Sequence, residues 1–148
     1  MRLIFTKGAG KCDRLRMIRP DGGVEEIDCP KQRIIPHDMM HFAVEAALHA
    51  RGFLTRVKDG EGADLRMAPS GESDAVERLV EALQGDAWSG GDAPAAEVLS
   101  LYAVTCEARG CAPLAVSPAD IDAIRARMAD LQSRWEAVPV GGTLELSL

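Results

Sequence analysis

Residues 36 to 51 most constrain the fold, because they read as a helix too apolar to lie at the surface. Pro36 suits a first helical turn, whose N–H groups have no partner within the helix, and Gly52 supplies a stop. At ~100° per residue, the side chains from Met39 to Ala50 include a continuous apolar arc of roughly two thirds of the circumference. Phe42, Ala43, Val44, Ala46 and Leu48 all fall in it. Such a helix needs cover on most sides, so the remaining elements must wrap around it. The other third of the circumference holds His37, Asp38, His41, Glu45 and His49, which include all three histidines of the chain.

A chain of 148 residues, 47% hydrophobic and 27% charged, can supply that cover as one domain spanning 1–148. Lys and Arg total 17 against 23 Asp and Glu, and the net charge of −6 offers no footprint for nucleic acid or an anionic membrane. No stretch approaches the ~20 apolar residues of a membrane span. Met1 to Phe5 lack a signal-peptide pattern, so a cytoplasmic protein is expected. Cys12, Cys29, Cys106 and Cys111 have no C-x-x-C spacing and read as free thiols or small core residues.

Leu3-Ile4-Phe5 reads as a first strand, turning at Lys7 to Gly10. Cys12 to Arg19 and Val24 to Cys29 flank Pro20-Asp21-Gly22-Gly23, a hairpin signal. A three-residue loop, Asp21-Gly22-Gly23, would place Met17 opposite Ile27, Leu15 opposite Cys29 and Arg16 opposite Asp28. A two-residue loop would set Met17 against Glu26, a poorer match. Phe53 to Met67 reads as irregular, with a short strand or turn near Leu65. A second helix is expected from about Glu72 to Leu83, with a Gly-rich loop from Gly85 to Asp92.

Pro94 opens a third helix to Arg109, apolar almost all round from Val98 to Val104 and so expected at the centre. Ser117-Pro118 starts a fourth, with a seam of Ile121, Ile124, Met128, Leu131 and Trp135 that docks on the domain or on a second copy as a homodimer. Gly142 to Leu148 alternates strictly and reads as a last strand joining the N-terminal sheet. The expected class is α+β: an antiparallel sheet of three N-terminal strands plus a C-terminal one, against about four helices.

On the polar stripe, His37 and His41 stand one turn apart, a spacing at which two imidazoles can hold one metal. His37-Asp38-Met39-Met40-His41 resembles the H-E-x-x-H of zinc metallopeptidases, which implies His37 and His41 as ligands of zinc and Asp38 as the base. Asp is one methylene shorter than Glu, and the motif begins in the first turn. Glu45 lies ~12 Å along the axis from His37, so all these groups cannot share one ion. His41 with Glu45, or Glu45 with His49, is another possible ligand pair. Otherwise a third ligand must come from elsewhere, such as Glu97, Cys106 or Glu107. The stripe also reads as a plain solvated face, with Asp38 meeting the helix dipole and Glu45 pairing with His41 or His49.

Residues 1 to about 54 resemble a group of uncharacterised bacterial proteins with a strand, a D-G hairpin and a helix opening P-H-D-x-x-H-x-x-V-E. The matching residues are Pro36, His37, Asp38, His41, Val44 and Glu45, after the turn at Asp21-Gly22. The resemblance implies bacterial origin and a shared fold, not a chemistry. Gly8-Ala9-Gly10-Lys11 lacks full phosphate-loop spacing and reads as a turn. Two functional classes remain: a non-catalytic binding or interaction module, or a metal-binding protein or metal-dependent hydrolase using a divalent metal such as zinc. In the second, His37, His41 and Glu45 are the candidate ligands and Asp38 the candidate base.

Overall fold

A computed structural model describes residues 1–63 and 70–148. Strands β1 (Arg2–Thr6), β2 (Cys12–Ile18), β3 (Val24–Pro30) and β4 (Thr143–Ser147) form one antiparallel sheet in the order β3-β2-β1-β4. Alternation decides its two faces. Leu3, Phe5, Leu15, Met17, Cys29 and Leu146 point into the core, while Arg2–Glu145, Arg14–Asp28 and Arg16–Glu26 form cross-strand ion pairs on the other side. The C-terminal strand joins the sheet as its alternation predicts, and pairs with β1.

The hairpin register differs from the expected one by two residues. Leu15 faces Ile27, Met17 faces Glu25 and Arg16 faces Glu26. The loop is Pro20-Asp21-Gly22, closed by the Arg19 N–H donating to the Gly23 carbonyl at 2.8 Å, with Gly22 in the left-handed region at φ 88°. Asp21 favours this placement because its Oδ1 accepts the Gly23 N–H at 2.8 Å. A shift of two keeps every side chain on its face, so it costs no burial.

Helix α1 (His37–Leu48) lies beneath the sheet as the central helix, packed against three of the helices that follow, with Met39, Met40, Ala43 and Val44 wholly buried. It ends three residues before Arg51, where His49 takes a left-handed C-cap at φ 52°. Helix α2 (Phe53–Lys58) occupies part of the stretch expected to be irregular, and the expected feature near Leu65 lies outside the described residues. Helix α3 (Gly71–Trp88) starts at a Ser70–Ser73 capping box and runs through Gly85 to Trp88, into the stretch expected to be loop. Asp86 secures that last turn by accepting from the Arg125 guanidinium at 2.7 and 2.9 Å.

Helix α4 (Ala95–Arg109) corrects the expectation of a central position. Only Val98, Tyr102 and Cys106 are buried along it, while Leu101 and Val104 are 49% and 61% exposed. It packs against α3 and α5 (Pro118–Ala137) and leaves its remaining faces in solvent. The α5 seam, Ile121 to Trp135, is buried within the chain, with Trp135 edge-on to Phe5 at 6.5 Å. Among the described residues, five helices thus lie on one side of the sheet. No helix among the described residues is long and apolar enough to cross a membrane.

Candidate metal centre

The polar stripe of α1 does not face open water at Asp38, His41 or Glu45. His41 and Glu45 are each 2% exposed and Asp38 is 8% exposed, because α2 and α3 close over them. A helix carrying these groups inward must satisfy each of them, since an unpaired buried charge is expensive.

Glu45 is satisfied by the start of α2. Its Oε1 accepts the Leu54 N–H at 3.0 Å, and its Oε2 accepts the Thr55 N–H and hydroxyl, both at 2.7 Å. A short helix with no cap of its own thereby gains a carboxylate at its positive end. The neighbouring Gly52 is a matter of space. A Cβ there would stand 2.5 Å from Glu45 Oε1 and 2.6 Å from Val76 Cγ1.

His37 and His41 turn towards α3, where they meet Glu77. His37 Nε2 is 3.4 Å from Glu77 Oε1, and His41 Nε2 is 3.0 Å from Glu77 Oε2. The two rings stand edge to face, 4.9 Å between centroids. One ligand atom from each of the three residues lies within 4.8 Å of the others, the one such cluster of His, Cys, Asp or Glu among the described residues. The two imidazoles meet different oxygens of Glu77, so a zinc bonded to both Nε2 atoms would take one of these oxygens or both.

The far nitrogen of His37 is also held. His37 Nδ1 is 2.8 Å from Gln84 Oε1, Gln84 Nε2 donates to Gln32 Oε1 at 2.8 Å, and Gln32 Nε2 donates to the Ile35 carbonyl at 2.8 Å. That carbonyl can only accept, so each amide in the chain has one orientation and His37 Nδ1 must donate. A neutral His37 then presents a bare Nε2 to the Glu77 carboxylate, two acceptors in contact with no hydrogen between them. On His41, Nδ1 lies 3.3 Å from Glu45 Oε1 but off the line of a hydrogen bond.

A neutral His41 can donate its Nε2–H to Glu77, but the contact of His37 Nε2 with Glu77 needs positive charge between its two atoms. Protons are one source. Burial disfavours charge on His41, but the Glu45 and Glu77 carboxylates outweigh it and push its pKa up to about 10. His37 is raised in the same way, burial opposing and Glu77 prevailing. Burial likewise opposes charge on Glu77, yet the two imidazoles hold its carboxyl well below the usual range. One divalent ion carries the same charge as the two protons it would replace.

The structure brings His37 and His41 together as the sequence suggests, and leaves Glu45 out of the converging set. Glu45 lies behind His41 with both oxygens occupied, and Glu77 is the third member of the converging set. Cys106 is a buried core thiol, and Glu97 and Glu107 are exposed on α4. His49 is exposed beyond the helix end, outside the cluster. Asp38 accepts the Cys29 thiol hydrogen at 3.2 Å. Burial and the Asp38 charge push that thiol's pKa up, so Cys29 remains a neutral donor.

One signal for Glu77 was present in the sequence. Glu77 and Gln84 are seven residues apart and fall on the same edge of the apolar stripe of α3, at ~100° per residue. His37, Asp38, His41 and Glu77 all line a cleft of about 500 Å³. No protein-family model matches the chain, and no curated protein or solved structure matches it.

Proposed function

We propose that this protein is a metal-binding domain holding one divalent ion, zinc by preference, on His37 Nε2, His41 Nε2 and the Glu77 carboxylate. The observation that carries this reading is the convergence of both Nε2 atoms on Glu77 while Gln84 and Glu45 stand at the two Nδ1 atoms. Outer groups that fix imidazole orientation are a regular part of histidine metal sites. Two nitrogens and a carboxylate oxygen suit zinc, and three protein ligands leave a fourth position for water or a small molecule. Asp38 lines the same cleft, which is where a hydrolytic version of this site would need its base. The four free cysteines fit a cytoplasmic setting.

Metal content of untagged protein, purified without chelator and measured by mass spectrometry, tests the reading. About one zinc per chain is expected in the parent and a small fraction of that in Glu77→Gln, which preserves shape but removes the anionic ligand. A parent that neither carries zinc nor takes it up on titration would overturn it.

A further inference from the structure

The cleft in front of the metal centre has a definite character. Asp28, Asp38 and Glu77 line it, and no lysine or arginine does among the described residues. A divalent ion offsets two of these three charges and leaves the described lining with one negative charge. Arg14, 3.8 Å from Asp28, tempers that charge from outside the lining. The rest of the wall is apolar: Ile27 and Pro30 from β3, Phe53 from the start of α2, and Ala63. Phe53 stands 5.9 Å from the His41 ring, so this wall adjoins the ligand cluster. The volume of about 500 Å³ suits a small organic molecule.

We infer that the fourth position of the metal takes a neutral or cationic small molecule with an apolar body and one lone-pair donor, and that phosphate and other multiply charged anions are rejected. This rests on the metal-binding reading above. A phosphate site needs positive charge or a fork of N–H donors. The described wall supplies no cationic side chain, and its carboxylates repel a dianion.

Cobalt(II) loaded into the full chain gives visible bands that report both the metal and its fourth ligand. The probes are imidazole, 4-phenylimidazole, the para-aminomethyl and para-carboxy forms of the latter, and inorganic phosphate; each imidazole offers one neutral nitrogen. 4-Phenylimidazole should perturb the bands at about tenfold lower concentration than imidazole, reflecting burial of its phenyl ring. The aminomethyl form should bind about tenfold more tightly than the carboxy form at low salt, a gap that narrows in Asp28→Asn. A carboxy form that binds as well as the aminomethyl form would overturn the ligand class, as would phosphate acting below 4-phenylimidazole. Both results would leave the metal site standing. Absence of cobalt bands in the parent would overturn the metal reading and the ligand class with it.

Discussion

Gln84 Oε1 lies 2.8 Å from His37 Nδ1, and this contact determines which nitrogen of His37 is turned to Glu77. The Ile35 carbonyl anchors the chain of amides, so the tautomer of a residue on α1 is set by the connector that precedes it. Gln84→Leu should therefore leave the fold in place while weakening zinc binding by roughly 10- to 100-fold. Competition against a chromophoric chelator gives the number, and Gln84→Glu, which still accepts at this position, should recover most of it. Unchanged affinity in Gln84→Leu would remove Gln84 from the site.

Glu45 and Glu77 are both carboxylates beside His41, yet their roles separate. Glu45→Ala strips the acceptor from the Leu54 and Thr55 N–H groups and leaves His41 facing a void. Urea unfolding of the metal-free protein should show a loss of about 3–5 kcal/mol, typical of breaking a buried charged network. Glu77, a third exposed, should cost less stability when changed to Gln and far more metal affinity. A Glu45→Ala protein as stable as the parent would contradict the capping role.

Stability of the metal-free protein should depend on alkaline pH. His41 has a folded pKa of about 10, above the ordinary histidine value near 6.5. Its contribution is therefore fully present below about pH 6.5, declines above that, and is lost as pH passes through about 10. Thermal melts in chelator from pH 6 to 10.5 should show a falling Tm, shallower in His41→Gln after allowance for its lower starting stability. A profile in the parent that is flat across this window would contradict the buried imidazolium.

Gly52→Ala isolates the close approach of α2 to α1. The backbone there, at φ −92°, accepts any residue, so the cost comes from the Cβ pressing on Glu45 and Val76. A loss of about 1–3 kcal/mol is expected, with a weaker zinc site because Glu45 must shift beside His41. A neutral substitution would mean that α2 can move away freely.

Local pattern was enough for much of the fold. Strict alternation marked β4 as a strand of the N-terminal sheet, and Ser117-Pro118 marked the start of α5. What escaped the sequence depended on distant partners. Helix α2 has six residues and no cap of its own; its cap is Glu45, on another helix. Helix α4 is apolar in composition, yet the space beside the sheet is filled by α1 and α5, so Leu101 and Val104 stay outside. The hairpin register slipped by two because such a shift leaves the faces unchanged, which hydrophobic pattern alone cannot detect. His37 and His41 were legible as a pair from their spacing. Glu77 showed only its place at the edge of the α3 stripe, because its meeting with them follows from the packing of α3 on α1.

The central claim is that His37, His41 and Glu77 hold one metal ion. A crystal of the full chain grown with one equivalent of zinc, with data collected on both sides of the zinc absorption edge, tests it most directly. The account predicts one anomalous peak about 2.0–2.1 Å from both Nε2 atoms and from a Glu77 oxygen, with Gln84 still on His37 Nδ1. A peak elsewhere, or none with Glu77 still in contact with both imidazoles, would contradict it.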